Sequence, residues 1–151
     1  MATIKCGFDD GARGSGNQLL VAFGPTVRVD IGFDSTWKPK NVNAPAPSMK
    51  GLAALIDTGA TESCIDSLLA ATLNLPIVNR RKLAGAHGAK EVNMHLAQVR
   101  IVDLSVTIYG EFAGVDLIIG GQKHHALIGR TLLRNFTMTY DGQTGQVTLS
   151  S

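Results

Sequence analysis

Glycine is frequent in this chain, and it constrains the kind of fold that the chain can adopt. Seventeen of its 151 residues are glycine, and the longest early apolar run spans only residues 19–23. Glycine weakens the interior of a helix and is favoured in tight turns. The pattern therefore favours a turn-rich β fold over a helical bundle. The same early run is far shorter than the roughly 20 residues that a membrane-spanning helix needs.

The composition supports a single globular domain and narrows the range of partners. Hydrophobic residues make up 44% and charged residues 17% of the chain, which is enough apolar surface for a core. The net charge is only +2, aromatic residues are 5%, and the longest basic run is Arg80 to Lys82, so we expect no nucleic-acid partner. Two cysteines are too few for a disulfide framework. The chain starts without an apolar signal segment, so we expect a cytoplasmic protein with no membrane partner.

Two segments are predicted to lie outside the regular structure. Residues 1–25 are glycine-rich and are predicted to be a partly flexible N-terminal segment, with a mobile turn over residues 11–17. Residues 35–48 contain three prolines and are predicted to be an inserted surface loop. The main domain is therefore expected to span residues 26–151.

Alternating and short apolar segments predict mostly strands within that domain. Residues 26–31 alternate between apolar and polar side chains, as a half-buried strand does. Asp66 or Ser67 can cap a helix that Pro76 ends. The other predicted elements are a buried strand at 51–56, two strands within 83–104 around a turn at 85–88, two strands within 106–119 broken near Gly114, an apolar run at 126–129 followed by a short helix at 130–134, and a hairpin of 136–140 with 146–149. The expected fold class is all-β with one or two short helices.

Asp57 stands where a carboxylate is least expected, directly after the apolar strand that ends at Ile56. Burial disfavours the charged form of a carboxyl group, so such a residue needs compensation and is a candidate for catalysis. Thr58 supplies a hydroxyl that can brace a neighbour, and Gly59 allows a tight turn and the close approach of a ligand.

Two segments of the chain carry a family resemblance. Residues 54–61 read Ala-Leu-Ile-Asp-Thr-Gly-Ala-Thr, and residues 126–133 read Ala-Leu-Ile-Gly-Arg-Thr-Leu-Leu. The first resembles the active-site signature of the retropepsin-like, or retroviral-type, aspartic proteases, and the second resembles the apolar-apolar-Gly-Arg segment of that family. The resemblance is closest to single-domain members encoded in bacterial genomes. The two segments share Ala-Leu-Ile, a short internal echo. The resemblance covers most of the chain, from about residue 26 to residue 149.

The resemblance implies a closed, all-β acid-protease subunit that is active as a homodimer on peptide or protein substrates. It implies that Asp57 is catalytic, supported by Thr58, Gly59 and Ala60. It implies a flap at the turn that lies between the two segments. It also implies that residues at the end of the first segment and near the start of the second either form a wall of the substrate cleft or brace the site. The flap residues are Gly85, Ala86, His87 and Gly88, and the cleft or brace residues are Ile56, Leu127, Ile128, Gly129 and Arg130.

The number of carboxylates supports the homodimer. The mechanism needs two carboxyl groups close together, one charged and one protonated. This chain has one Asp-Thr-Gly, and neither Asp34 nor Asp141 stands in a similar sequence. We therefore expect Asp57 from each of two copies to meet at a two-fold axis. No metal and no cofactor is expected.

The sequence departs from the retroviral pattern in two places that affect contacts. Thr61 stands where retroviral members often have an acidic residue that pairs with the arginine, so Arg130 needs another partner, and Glu62 is a candidate. His87 makes the flap turn more polar than in retroviral members, and it could contact substrate or sense pH.

Other interpretations stay open at this point. The chain could be a catalytically silent retropepsin-like module for dimerisation or peptide binding, because a fold does not dictate a function. It could also be a monomer that becomes active only after processing, with residues 1–24 as a removable segment, or after dimerisation induced by a partner. His124 and His125 lack metal-ligand spacing and are read as a loop pair, and Cys64 is read as a packed thiol. The expected apolar cleft walls include Leu83 and Ile119 besides the residues already named.

Overall fold

The computed structural model describes residues 2–38, 48–85 and 88–151. Strands dominate, as the glycine content predicts. In chain order the elements are β1 (Thr3–Lys5), α1 (Gly16–Phe23), β2 (Thr26–Gly32), β3 (Ser48–Ile56), β4 (Cys64–Asp66), α2 (Ser67–Thr72), β5 (Ile77–Gly85), β6 (Gly88–Ile101), a 3₁₀ turn (Val102–Leu104), β7 (Val106–Val115), β8 (Ala126–Ile128), α3 (Arg130–Leu133), β9 (Thr137–Asp141) and β10 (Gln146–Ser150).

Seven of the strands form one sheet, in which six close into a barrel and β5 extends it as a partner of β6. Their order is β2-β3-β8-β4-β7-β6-β5, and β2 also pairs with β6, which closes the sheet on itself. Most pairs are antiparallel, but β3 with β8 and β4 with β7 are parallel. The remaining three strands form a separate sheet in the order β1-β10-β9. The expected fold class, an all-β closed subunit, is confirmed.

The side chains of β2 alternate between buried and exposed as predicted, with one difference. Val27, Val29 and Ile31 are at most 4% exposed and belong to the main core, whereas Arg28 is exposed. Asp30 was expected on the open face, but it is buried and its Oδ1 accepts a hydrogen bond from the backbone N–H of Gly51 at 2.9 Å. Asp30 lies at a register shift between β2 and β3, and its carboxylate bonds to β3 there, which the period of two cannot reveal.

The N-terminal segment carries regular structure that the sequence reading did not anticipate. β1 pairs antiparallel with β10, and the side chains of Ile4, Cys6 and Leu20 are buried in the core. Helix α1 starts with a capping box in which Ser15 and Gln18 satisfy each other's backbone N–H groups. The predicted turn at 11–17 is therefore wrong for its last two residues. The domain boundary at residue 25 stays a prediction.

The strand predicted to break near Gly114 is continuous, which corrects the reading of two strands within 106–119. Gly114 lies inside β7, and a Cβ atom there would stand 2.9 Å from Nε2 of His95. The glycine therefore makes room for a buried histidine and does not end the strand. The described residues also contain three α-helices, one more than the largest number expected. The C-terminal hairpin, β9 with β10, and the helix capped by Asp66 are confirmed.

Only part of the predicted surface loop is described. Residues 35–38 follow β2, and Asp34 holds them through hydrogen bonds from both the backbone N–H and the hydroxyl of Thr36. Residues 39–47 lie outside the described residues, as do Ala86 and His87.

Candidate active site

The two similar segments of the sequence lie side by side in the barrel. β3 and β8 are parallel, and their shared residues pair in register: Ala54 with Ala126, Leu55 with Leu127, and Ile56 with Ile128. Because side chains alternate along a strand, Ala54, Ile56, Ala126 and Ile128 all point into the core, where each is at most 3% exposed. The repeated Ala-Leu-Ile sequence thus forms two adjacent core strands whose last residues, Ile56 and Ile128, pair with each other.

Asp57 follows β3 at that common end, where its backbone is fixed. The backbone N–H of Asp57 donates to the carbonyl oxygen of Ile128 at 2.9 Å, which continues the ladder one residue past the strand. The turn then closes on the carboxylate, because Oδ1 of Asp57 accepts a hydrogen bond from the N–H of Gly59 at 2.9 Å. The carboxyl group is partly exposed, whereas Thr58 and Gly59 are exposed. A partly exposed carboxylate on a fixed turn can exchange protons with a bound water or substrate.

Gly129 supports this turn from the strand behind it. Its N–H donates to Oγ of the buried Ser63 at 2.9 Å. A Cβ atom on Gly129 would stand 2.5 Å from the carbonyl oxygen of Glu62 and 3.0 Å from that of Ala60. Two further backbone bonds, from Arg130 to Ala60 and from Thr131 to Thr61, hold the same segments together at 2.8 and 3.0 Å. Only glycine fits this close approach of two backbone segments.

The Arg130 side chain spans the turn that carries Asp57. Its Nη1 donates to the carbonyl oxygen of Thr58 at 2.7 Å, and its Nη2 donates to Oγ1 of Thr61 at 2.9 Å. The candidate partner Glu62 is therefore wrong, because the Glu62 carboxylate lies 3.7 Å from Arg81 instead. Thr61 takes the place of the missing acidic residue by accepting with its hydroxyl, and the planar guanidinium reaches both acceptors at once.

A cleft opens beside the turn and runs under the β5–β6 hairpin. Its volume is about 540 Å³, and Gly59, Ala60 and Thr61 line one side of it. Gly85 and Gly88, the outer residues of the predicted flap turn, pair with each other in the hairpin and line the opposite side. The hairpin itself confirms two strands around this turn. The other lining residues are Glu62, Cys64, Lys82, Leu83, Ala84, Lys90, Val92 and Val115.

Cys64 forms part of the cleft floor as a packed thiol. It is 7% exposed and lies in a small apolar cluster with Val92, Met94 and Ala113. Burial raises its pKa to about 11, and the negative charges of Asp57 and Glu62 add to that effect. The thiol therefore stays protonated at neutral pH and is a poor nucleophile, in agreement with the sequence reading.

The predicted cleft residues divide into two groups. Ile56 and Ile128 are buried in the core, so they can brace the turn but present no surface to a ligand. Leu127 is partly exposed and packs against the cluster around Cys64, and Leu83 lines the cleft. Ile119 is 76% exposed and is not among the residues that line this cleft.

Asp66 was predicted only to cap a helix, but its carboxylate also holds a distant segment of the chain. Its Oδ2 accepts from the N–H of Leu69, as a cap does, at 3.3 Å. Its Oδ1 accepts from the N–H groups of Leu117 and Ile118, which fixes the chain after β7. These partners are 51 and 52 residues away, so no local pattern indicates them. Over the described ranges, no group of three or more His, Cys, Asp and Glu residues could hold a metal ion.

Comparison with known families gives one match over most of the barrel. Residues 49–135 match the family model described as gag-polyprotein putative aspartyl protease. That range begins in β3 and ends after α3, so it contains Asp57, the β5–β6 hairpin and Arg130. No curated protein matches the chain. No helix in the described ranges is long and apolar enough to cross a membrane.

Solved structures with a similar fold include one bacterial and two viral proteins. A retropepsin-like aspartic protease from Rickettsia conorii is 16% identical, covers 98% of this chain and 91% of its own, and has a TM-score of 0.50. The EIAV protease, solved with the inhibitor HBY-793, is 18% identical over 74% of this chain and 86% of its own, with a TM-score of 0.48. The simian foamy virus (mac) protease is 13% identical over 72% and 91%, with a TM-score of 0.46.

Proposed function

The chain belongs to the family of gag-polyprotein putative aspartyl proteases, and we propose that it is an aspartic endopeptidase that hydrolyses extended peptide segments as a homodimer. The observation that carries this proposal is the turn at Asp57. A carboxylate is held at the end of two matched core strands and is partly open to solvent, and the turn that carries it borders a cleft of about 540 Å³ through Gly59, Ala60 and Thr61. Such a fixed carboxylate beside a cleft is what general acid–base catalysis requires.

The need for a second carboxylate supports the homodimer. A pair of carboxyl groups about 3 Å apart cannot both be charged, so the pair shares one proton and offers an acid and a base together. Thr58 and Gly59 are exposed on the turn of a single chain, which leaves this surface available to a second copy. A two-fold axis beside the turn would bring the two Asp57 side chains together.

The reaction follows from that pairing. The charged Asp57 removes a proton from a water molecule held between the two carboxyl groups, and the water oxygen attacks the carbonyl carbon of the peptide bond. The protonated Asp57 of the other copy gives its proton to the carbonyl oxygen. The tetrahedral intermediate then collapses as a proton passes to the amide nitrogen, the C–N bond breaks, and a carboxylic acid and an amine leave.

The cleft supports an extended substrate with an apolar side chain near the cut. Leu83, Val92, Val115 and Cys64 provide an apolar floor below the hairpin. An extended peptide can form main-chain hydrogen bonds with a neighbouring strand or turn, and side-chain pockets then select alternate residues. We expect the flap, from Gly85 to Gly88, to close over the peptide and exclude water.

Cleavage of a mixed peptide library tests the proposal. Purified protein is compared with Asp57→Asn, which keeps the side-chain size but cannot act as an acid or a base, between mildly acidic and neutral pH. Asp103→Asn is the matched control, because this carboxylate is exposed and pairs with Arg28 on the barrel surface. We expect the wild type and the control to cut equally and Asp57→Asn not to cut.

Mixing the wild type with Asp57→Asn tests the shared site. If each active unit needs one Asp57 from each of two copies, re-equilibrated equimolar mixtures should keep about one quarter of the activity of the undiluted wild type, since random pairing leaves one pair in four intact. Retention of about one half would mean that single chains act alone. If a dimer binds peptides and cuts none, the chain is a binding module instead.

A further inference from the structure

A second pocket lies on the same side of β3 as Asp57, and we propose that it binds an acidic side chain of the substrate about four residues from the cut. This inference rests on the proposed peptidase function. We call the site the Phe23 pocket. Its volume is about 230 Å³, and its lining residues are Phe8, Arg13, Phe23, Thr26, Ala53, Lys123 and His124.

Two cations lie over one aromatic ring in this pocket. Nζ of Lys123 is 4.3 Å from the centre of the Phe23 ring, and the guanidinium carbon of Arg13 is 5.8 Å from it. Both distances are within the range of cation–π attraction, which holds the two positive groups at the pocket. In the described part of the chain, neither side chain forms an ion pair with a carboxylate. Two positive charges without a counter-ion make this pocket attractive to an anion.

His124 contributes a buried polar group that lacks a partner. The side chain is 5% exposed, and its Nε2 lies 2.9 Å from Oγ1 of Thr26. The Thr26 hydroxyl donates its proton to the carbonyl oxygen of Gly24 at 3.0 Å, so the hydrogen between Thr26 and His124 belongs to Nε2. No group in the described ranges bonds to Nδ1 of His124. An unpaired buried nitrogen is costly, and a ligand or a proton with its counter-ion can satisfy it.

The alternation of β3 connects this pocket to the catalytic turn. Leu52, Ala54 and Ile56 point into the core, so Ala53, Leu55 and Asp57 share the opposite face. Ala53 is four residues before Asp57, which corresponds to about 13 Å along a strand. An extended peptide covers that distance with about four residues.

The neighbouring strand β8 presents a matching surface along the same path. Ala126 and Ile128 point into the core, so His125 and Leu127 share the other face, and Leu127 pairs with Leu55. The N–H of His125 also donates to the carbonyl oxygen of Ala53 at 2.9 Å, which fixes the loop that carries Lys123 and His124 against β3. The path from Asp57 therefore runs over two leucines and ends among cations.

A carboxylate is the ligand that best fits this arrangement. The charges of Arg13 and Lys123 favour an anion, and the Phe23 ring accommodates the methylene groups of a Glu side chain. Burial and the positive charges of His125 and Lys123 lower the pKa of His124 in the free protein. A bound carboxylate opposes those effects, so protonated Nδ1 can donate to it. No acidic side chain lines the pocket to compete.

Paired peptides test this specificity. The peptides share one apolar core that the enzyme cuts and differ only in Glu, Gln or Lys placed three, four or five residues from the cut, on either side. The protein variants are Arg13→Gln with Lys123→Gln, the charge reversal Lys123→Glu, and Lys5→Gln as a control for an exposed lysine on β1. The measurement is kcat/KM for each pair at low and high salt.

We expect the Glu peptide to be cut about tenfold better than the Gln peptide at one spacing near four residues, and this preference to shrink in high salt. The double variant should lose the preference while it cuts the Gln peptide normally, and Lys123→Glu should favour the Lys peptide. Equal use of Glu and Gln by the wild type at all spacings, or a preference that survives in the double variant, would overturn the inference.

A binding measurement separates this inference from the proposed function. If no peptide is cut, the peptidase proposal fails by itself, and the affinities of fluorescent Glu and Gln peptides are measured on Asp57→Asn and on the double variant. Tighter binding of the Glu peptide that depends on Arg13 and Lys123 still supports an acidic-peptide pocket. Equal affinities reject it.

Discussion

Gly129→Ala should distort the turn that carries Asp57 from behind without changing Asp57 itself. A Cβ atom at this position would stand 2.5 Å from the carbonyl oxygen of Glu62 and 3.0 Å from that of Ala60. Both neighbours are backbone atoms, so they cannot rotate away as a side chain would. The segment from Ala60 to Glu62 must move instead, by roughly 1 Å if a normal carbon–oxygen contact is to be restored.

The cost follows from the bonds that such a movement strains. Overpacking of a buried site costs about 1–3 kcal/mol. The bonds from Gly129 to Ser63 and from Arg130 to Ala60 join the two segments, and each is worth about 1 kcal/mol. We expect a loss of about 2–4 kcal/mol, which corresponds to roughly 5–15 °C in the melting temperature of a chain of this size.

Chemical denaturation and calorimetry of Gly129→Ala beside Gly110→Ala measure this effect. Gly110 also lies in a strand, but a Cβ atom there would meet nothing within 4 Å, so that variant should change the stability by less than about 1 kcal/mol. Under conditions where Gly129→Ala remains folded, its peptidase activity should fall far more than that of Gly110→Ala. Equal stability and equal activity of the two variants would refute the reasoning.

Three further predictions concern the N-terminal segment, a buried histidine and the thiols. Deletion of residues 1–5 removes β1 and the buried Ile4 side chain, so the free energy of unfolding should fall by about 3 kcal/mol or more, and an unchanged urea midpoint would show that the segment is dispensable. Burial lowers the pKa of His124 below its ordinary 6.5, so the unfolded chain binds more protons than the folded one. The free energy of unfolding should therefore fall as the pH drops below about 6.5, and it should fall less steeply with pH in His124→Gln. Identical pH dependences of the two proteins would contradict this origin. Burial raises the pKa of both Cys6 and Cys64 to about 11, so at pH 8 an alkylating reagent should modify neither thiol in the folded protein and both in denaturant; rapid labelling of the native chain would contradict the packing of these thiols.

The correct sequence-based predictions share one property: each depends only on residues that lie close together in the sequence. The alternation of residues 26–31, the cap at Asp66 and the apolar run before Asp57 depend on contacts that lie close in the sequence. The candidate catalytic residue could be selected from the same local conflict, a carboxylate after a buried strand. A second local match at Gly129 and Arg130 made the family recognisable.

The errors concern residues whose surroundings come from distant segments. Gly114 has the local sequence signature of a strand break, but it makes room for His95, and Asp30 has that of an exposed residue, but its carboxylate bonds to Gly51 of β3. Arg130 bonds to Thr58 and Thr61, although the charge of Glu62 made it the simpler candidate. The packing of the glycine-rich N-terminal segment depends on β10, at the other end of the chain.

The sequence by itself determined the class of the fold and singled out Asp57, and it predicts the need for a second copy, because strand periodicity, turn residues and the number of carboxylates are all properties of the linear chain. Only the tertiary structure decided that the two Ala-Leu-Ile segments pair in register and that Lys123 and Arg13 meet over Phe23. These contacts join residues between ten and more than a hundred positions apart. Barrel closure brings such residues together, and no local preference records it.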